Sequence, residues 1–268
     1  MENKFKVVCF QTKSSDIPEE NIFMLEKIFK KVYGKAIDLI CLPECVSIFS
    51  DSPTNLNDYT LRWHKTFIKF ISENAKKLNS NILIGSYPQK KDNKFLNRSL
   101  LIDNNGKEIE HYDKINLFNV NLAKNENYKE SKNFVPGKKI KLAKLPWGKL
   151  GFSVCYDLRF PVLYKKLSKK GASFFSIPAA FTHTTGKSHW HSLTKARAIE
   201  NGCFVFAAAQ CGSHKNGRKT FGHSLIINPW GEIIAEAKNS DSFISATIDT
   251  SLIKFARQKI PAMTDYKF

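Results

Sequence analysis

Short apolar runs alternate with amphipathic stretches along almost the whole chain. The runs predict strands over 5–12, 37–42, 82–87, 97–102, 107–112, 149–155, 173–178, 203–210, 222–228, 232–237 and 243–248. Helical spacing predicts helices over 18–33, 60–79, 161–170 and 188–201, with a short one near 250–257. In the first of these Ile22, Leu25, Ile28, Phe29 and Val32 recur on one face behind Pro18, a residue suited to the first helical turn. Asp103–Gly106 and Pro229–Gly231 read as tight turns between neighbouring strands, which a purely parallel doubly wound sheet would not need. So many strands with mixed connections predict two sheets packed face to face, with helices outside.

No repeat, low-complexity tract or linker breaks this rhythm, so 1–268 reads as one domain. The least regular stretch, 116–141, is polar and rich in lysine and asparagine, and so long a segment inside a compact domain is commonly functional.

Composition narrows the classes. An apolar content of 42% and a charged content of 25% are those of a globular protein, but the net charge of +18 is high. Of the 42 basic residues only six are arginine, at 62, 98, 159, 197, 218 and 257, and the lysines are spread through every segment. No basic block is interleaved with aromatics, so a solvated cationic surface that attracts anionic substrates is favoured over a nucleic-acid-binding module. The six cysteines lack the spacing of a disulfide framework, the chain opens directly into a strand at Phe5, and the longest apolar run (203–209) is too short for a bilayer. A cytoplasmic protein without a membrane segment is expected.

Three strand ends carry complementary chemistry. The run 37–44 ends in the carboxylate of Glu44, 107–114 in the ammonium of Lys114, and 151–155 in the thiol of Cys155. Ligand crevices form at strand carboxyl ends in α/β sheets, so the three can converge. Cys155 sits where a strand gives way to a helix, a placement expected to favour its thiolate. Glu44 can take a proton from the thiol and return it to an amine leaving group, while Lys114 stabilises the oxyanion formed by attack on a carbonyl. Backbone N–H groups just after Cys155 can supply a second oxyanion donor, which completes an acyl-transfer site without histidine. Taken singly, each residue has a plainer reading: a surface carboxylate, a solvated lysine, a buried strand cysteine.

The surrounding motifs decide between them. Leu42-Pro-Glu44, Tyr112-Asp-Lys-Ile-Asn-Leu-Phe118 and Cys155-Tyr-Asp-Leu-Arg-Phe-Pro161 closely resemble the three signatures of the nitrilase (carbon–nitrogen hydrolase) superfamily, and Glu130-Ser-Lys-Asn-Phe-Val-Pro-Gly137 resembles its fourth. The resemblance implies an αββα sandwich of two mixed sheets, paired as a homodimer or higher oligomer, with 254–268 near the subunit interface. It implies catalytic roles for Glu44, Lys114 and Cys155, and places Glu130 against Lys114 or the substrate. Cys155-Tyr156-Asp157 resembles the amidase side of the superfamily. The runs 185–190, 196–200, 207–212 and 222–231 resemble the branch that hydrolyses deaminated glutathione. The implied activity is a cofactor-independent amidase releasing ammonia from a small carboxamide, with deaminated glutathione as favoured substrate. An omega-amidase on α-ketoamides and an N-carbamoyl amide hydrolase are the alternatives. One departure is Asp113, where relatives often have a basic residue.

Tyr156 is expected to shape the pocket or pack beneath the elbow, its backbone N–H being the catalytic contribution. Phe181 and Thr182, beyond strand 173–178, and Gln210, at the end of 203–210, are expected to reach the substrate. Asp157 and Arg159 are expected to pair with each other or with helix 188–201. Arg197 and Glu200 can form a helical ion pair. His183, His189 and His191 fit no standard zinc spacing, so no metal is expected there, and Cys41 and Cys45 read as core packing.

Overall fold

The computed structural model describes residues 3–123, 126–238 and 242–262. The N-terminal half contains β1 (Lys4–Thr12), α1 (Pro18–Lys30), β2 (Leu39–Cys41), α2 (Pro53–Asp58), α3 (His64–Leu78), β3 (Asn81–Lys91), β4 (Lys94–Ile102) and β5 (Glu108–Asp113). A hairpin of β6 (Asn119–Ala123) and β7 (Glu126–Lys129) follows, then β8 (Leu142–Leu145), β9 (Gly148–Phe152), α4 (Pro161–Lys169) and β10 (Ala172–Ser176). The remainder is α5 (His183–Asn201), β11 (Phe204–Ala207), β12 (Ala209–Ser213), β13 (Lys219–Phe221), β14 (Leu225–Ile227), β15 (Ile233–Glu236), β16 (Ser242–Asp249) and α6 (Ser251–Lys259). No helix among the described residues is long and apolar enough to cross a membrane.

Two mixed sheets face one another. The first runs β13-β12-β1-β2-β3-β4-β5, with β16 antiparallel to β1, and the second runs β15-β14-β11-β10-β9-β8. Alternation along β1 shows how the layers form. Val7 and Cys9 point into the core between the sheets, among Phe174 and Phe206, whereas Val8 and Phe10 point outward onto Leu25, Phe29 and Phe67 of α1 and α3. Helices α4 and α5 cover the second sheet. This is the expected αββα arrangement.

Several segments depart from the sequence pattern, among them strands at 142–145 and 219–221 that it did not mark. The apolar run 203–210 is not one strand: β11 pairs with β10 in the second sheet, and after Ala208 the chain crosses so that β12 pairs with β1 in the first. Every residue of the run is buried in either sheet, so apolarity alone does not mark the crossing. The stretch 116–141 contains the β6–β7 hairpin, whose polar sequence hides its strands. The helix expected over 60–79 begins at Pro53, capped by Ser52, and passes through a π-helical turn at Tyr59–Trp63 before α3.

Candidate active site

Glu44 lies three residues beyond β2, on a loop pressed against β3. A Cβ on Gly85 would stand 2.0 Å from the carbonyl oxygen of Leu42, so only glycine lets β3 approach this closely. Lys114 follows β5 directly. Its backbone N–H donates to Asn97 (3.0 Å), and its carbonyl accepts from Gly137 (2.8 Å). Cys155 opens a 3₁₀ turn at Cys155–Arg159, three residues after β9 rather than at the end of a strand, with φ at +47°. A non-glycine residue held there costs about 1–3 kcal/mol. The elbow is held by Asp157, whose buried carboxylate accepts from Tyr112 Oη (2.7 Å), Val154 N (2.9 Å) and both the backbone and side-chain N–H of Asn116 (3.0 and 2.8 Å).

The three strand-end residues do converge. Lys114 Nζ donates to Glu44 Oε1 (2.9 Å) and to Glu130 Oε2 (2.9 Å), with the lysine side chain 1% exposed. Glu44 Oε2 accepts from the Ala180 N–H (2.8 Å). Asn97, which sequence reasoning missed, donates through one Nδ2 to both Glu44 Oε1 (3.1 Å) and Glu130 Oε1 (3.0 Å). A signal was present: Asn97 alternates along β4 with buried Phe95 and Ser99, where a polar residue needs a polar partner.

Burial acts against every charge here, and the partners decide the outcome. It works to lower the Lys114 ammonium, but Glu130 and Glu44 outweigh it and hold the lysine well above its ordinary range. It works to raise Glu44, but Lys114 prevails and keeps the carboxylate below the usual range. For Cys155, burial and the neighbouring Glu44 push the thiol well up, and Lys114 only partly opposes them. The expectation of a favoured thiolate is therefore corrected: the resting residue is a thiol beside an ionised base.

Cys155, Glu44, Lys114 and Glu130 line a cavity of about 300 Å³, together with Phe49, Tyr128 and Arg218. Cys45 lines it too and so is not plain core packing, whereas Cys41 is buried in the core. A smaller recess of about 10 Å³, also opening on Cys155, is lined by Tyr156, Arg159, Phe181, Thr182 and Thr185. Thr182 doubles as the N-cap of α5, accepting from Thr185 N (3.4 Å), which starts the helix five residues before its expected position.

Gln210 does not reach either space. Its amide is fully buried, donating to the Glu44 carbonyl (2.9 Å) and Ser14 Oγ (2.8 Å) and accepting from Thr12 Oγ1 (3.1 Å) and Ser14 N (2.9 Å), so it fixes the Glu44 loop instead of meeting a substrate. Asp157 and Arg159 do not pair, because four neutral donors already saturate Asp157. Arg159 lies over the Phe181 ring (5.1 Å) and against His189 of α5 (3.2 Å). Arg197 does pair with Glu200 (3.0 Å), and it also donates twice to the Leu158 carbonyl (3.0 and 2.7 Å), tying α5 to the elbow. Asp113 forms a two-point pair with Arg98 (2.7 and 3.0 Å). His191 meets His223 and Glu236 instead of the histidines near it in sequence, both rings contacting Glu236 Oε1 (2.9 and 2.7 Å).

The fold and this site define a class. The sequence profile of the carbon–nitrogen hydrolases matches residues 9–258, and the chain belongs to that family, whose members hydrolyse non-peptide C–N bonds. Among its relatives, a deaminated glutathione amidase of Yersinia enterocolitica is 34% identical over 266 residues, covering 98% of this chain and 93% of that protein. The omega-amidase NIT2 of Danio rerio is 30% identical over 262 residues, covering 97% and 93%. The crystal structure of Saccharomyces cerevisiae Nit3, a member of branch 10 of the nitrilase superfamily, superposes with a TM-score of 0.86 at 28% identity, covering 99% of this chain and 97% of that one.

Proposed function

We propose that the protein is an amidase working through a thioester on Cys155. The observation that carries this reading is the buried Lys114 bridging two carboxylates, 2.9 Å from each, at a cavity that also exposes the thiol. Glu44 takes the Sγ proton as Sγ bonds to the amide carbon. The developing oxyanion is met by Lys114 and the Tyr156 N–H. The C–N bond then breaks, and Glu44 returns its proton to the departing amine. Water, deprotonated by Glu44, adds to the thioester; the C–S bond breaks, and the proton goes back to sulfur. Glu130 holds Lys114 in its charged form throughout.

The favoured substrate is deaminated glutathione, with an omega-amidase reaction on α-ketoamides as the second reading; relatives named for each activity support both. The chemistry of the two differs in one product. Deaminated glutathione has no primary carboxamide, so the expected release of ammonia is corrected for that substrate: the amine that leaves is a cysteinylglycine dipeptide, and ammonia is released only in the omega-amidase reaction. The test measures both new amine and ammonia on deaminated glutathione, α-ketoglutaramate and a simple nitrile. Cys155→Ser should abolish all release with the circular dichroism spectrum unchanged, and full activity in that variant would overturn the mechanism.

The protein is read as one domain that works as a homo-oligomer. Ile199, Trp230 and Phe255 are about half exposed; Ile199 lies against Gly231, and Trp230 and Phe255 are in ring contact (6.0 Å), so they form one apolar patch on α5, the β14–β15 turn and α6. The C-terminal segment expected at an interface begins here, although 263–268 lie outside the described residues. Six cysteines without the spacing of a disulfide framework suit the reducing cytosol.

A further inference from the structure

The β12–β13 turn carries Arg218 into the cavity that holds Cys155. The turn is tight: His214 N donates to the Arg218 carbonyl (2.8 Å), and Arg218 N donates to Asn216 Oδ1 (3.2 Å). The guanidinium carbon stands 4.9 Å from the ring centroids of both Phe49 and Tyr128, so the planar group is held between two aromatic faces. Phe49 is itself backed by the His214 ring, stacked at 4.0 Å, and His214 is anchored at both ring nitrogens, to the Ser14 carbonyl (2.9 Å) and Thr220 Oγ1 (2.8 Å). The arginine is thus positioned before any ligand arrives.

Its charge is poorly answered by the protein. The nearest carboxylate, Asp51, reaches Nη1 only at 3.9 Å, and its own side chain is 65% exposed. Arg218 Nε is buried and has no hydrogen-bond partner among the described residues. Glu44 and Glu130, the other carboxylates lining the cavity, are committed to Lys114. A buried donor on a charged group is expensive to leave unpaired, and such a group persists where a ligand completes it. The side chain is 18% exposed where it lines this cavity, so the accessible end of its guanidinium can receive a carboxylate with two parallel hydrogen bonds.

We propose that Arg218 binds a carboxylate of the substrate remote from the scissile bond, and so selects anionic amides over neutral ones. This rests on the amidase reading above. That carboxylate belongs either to the acyl arm that stays on Cys155 or to the amine that departs.

The test compares matched amides, each with its carboxylate or with a neutral carboxamide in its place, once on the acyl arm and once on the leaving arm. In Arg218→Met the acid-over-neutral ratio of kcat/KM should fall roughly 10- to 100-fold on the arm that is read, mainly through KM. Arg218→Lys, which keeps the charge but loses the fork, should recover only part of it. An unchanged ratio on both arms, with or without a general loss of rate, would overturn the proposal. Equilibrium binding of α-ketoglutarate and of cysteinylglycine to Cys155→Ser, with and without Arg218→Met, separates this outcome from failure of the amidase reading. Loss of either probe's binding with Arg218 supports the proposal even if no amide tried is cleaved; binding of both unaffected by Arg218, or of neither in Cys155→Ser, counts against it.

Discussion

Replacing Lys114 with methionine removes one charge from a buried group of three. In the native protein the ammonium makes two charge-assisted hydrogen bonds, to Glu44 and Glu130. Each such bond contributes about 1.5–3 kcal/mol, and stripping one partner from a buried ion pair costs about 3–5 kcal/mol. Glu44 stays 5% exposed but keeps the Asn97 and Ala180 donors, while Glu130, 13% exposed, keeps the Phe118 N–H. Those remaining donors place the expected loss near the lower end, about 3 kcal/mol.

The loss should also depend on pH. Native Glu44 has a lowered pKa, so its stabilising contribution is present above the unfolded carboxylate value and fades as pH falls through the folded one. Without Lys114, burial dominates and raises Glu44, a contribution present at low pH and lost as pH rises. The gap between variant and native protein should therefore be wide at about pH 8 and narrow at about pH 5. Urea unfolding followed by far-ultraviolet circular dichroism, at one protein concentration, measures it. Adding Glu44→Gln to Lys114→Met should recover most of the stability, because no carboxylate is then stranded at that position. A loss below about 1 kcal/mol, or one equal at both pH values, refutes the account of Lys114 as the counter-charge that keeps Glu44 ionised.

Two further outcomes follow from the same geometry. Because Glu44 is held below the usual carboxylate range and the Cys155 thiol well above its own, kcat/KM should fall only in acid, as Glu44 is protonated, and stay level through about pH 8–9, where an ordinary thiol ionises; a tenfold rise per pH unit approaching pH 8.5 would show a free thiolate as the nucleophile. For the homo-oligomer proposed above, Trp230→Glu combined with Phe255→Glu should shift sedimentation toward monomer, and an unchanged sedimentation coefficient would refute an interface at the patch on α5 and α6.

Much of the site was legible because the chemistry sits at punctuation points of the pattern. Glu44 and Cys155 each follow an apolar run and Lys114 a short, largely polar strand, and their motifs locate all three before any coordinates. Glu130 was legible only through its motif, since the polar hairpin that precedes it hides its strands. Gln210 was misread because its run contains a crossing between sheets, and the crossing turns its amide inward under Glu44. Asp157 looked like an ion-pair partner for Arg159 two residues away. The 3₁₀ turn instead folds its carboxylate back onto Val154 N, three residues earlier, and onto Tyr112, 45 residues earlier.

The sequence by itself determined most of the strands and helices and the three residues that follow β2, β5 and β9, because periodicity and chain reversal are local properties of side chains and backbone. It also determined the family, since ordered motifs need no coordinates. Only the tertiary structure decided the protonation of the site. Whether Cys155 rests as thiol or thiolate depends on burial and on a carboxylate 111 positions away in sequence, and both are set by how the two sheets close. The packing of the β12–β13 turn against the β6–β7 hairpin and the loop after β2 sets Arg218 between Phe49 and Tyr128 with an unpaired donor, which no spacing along the chain could have placed.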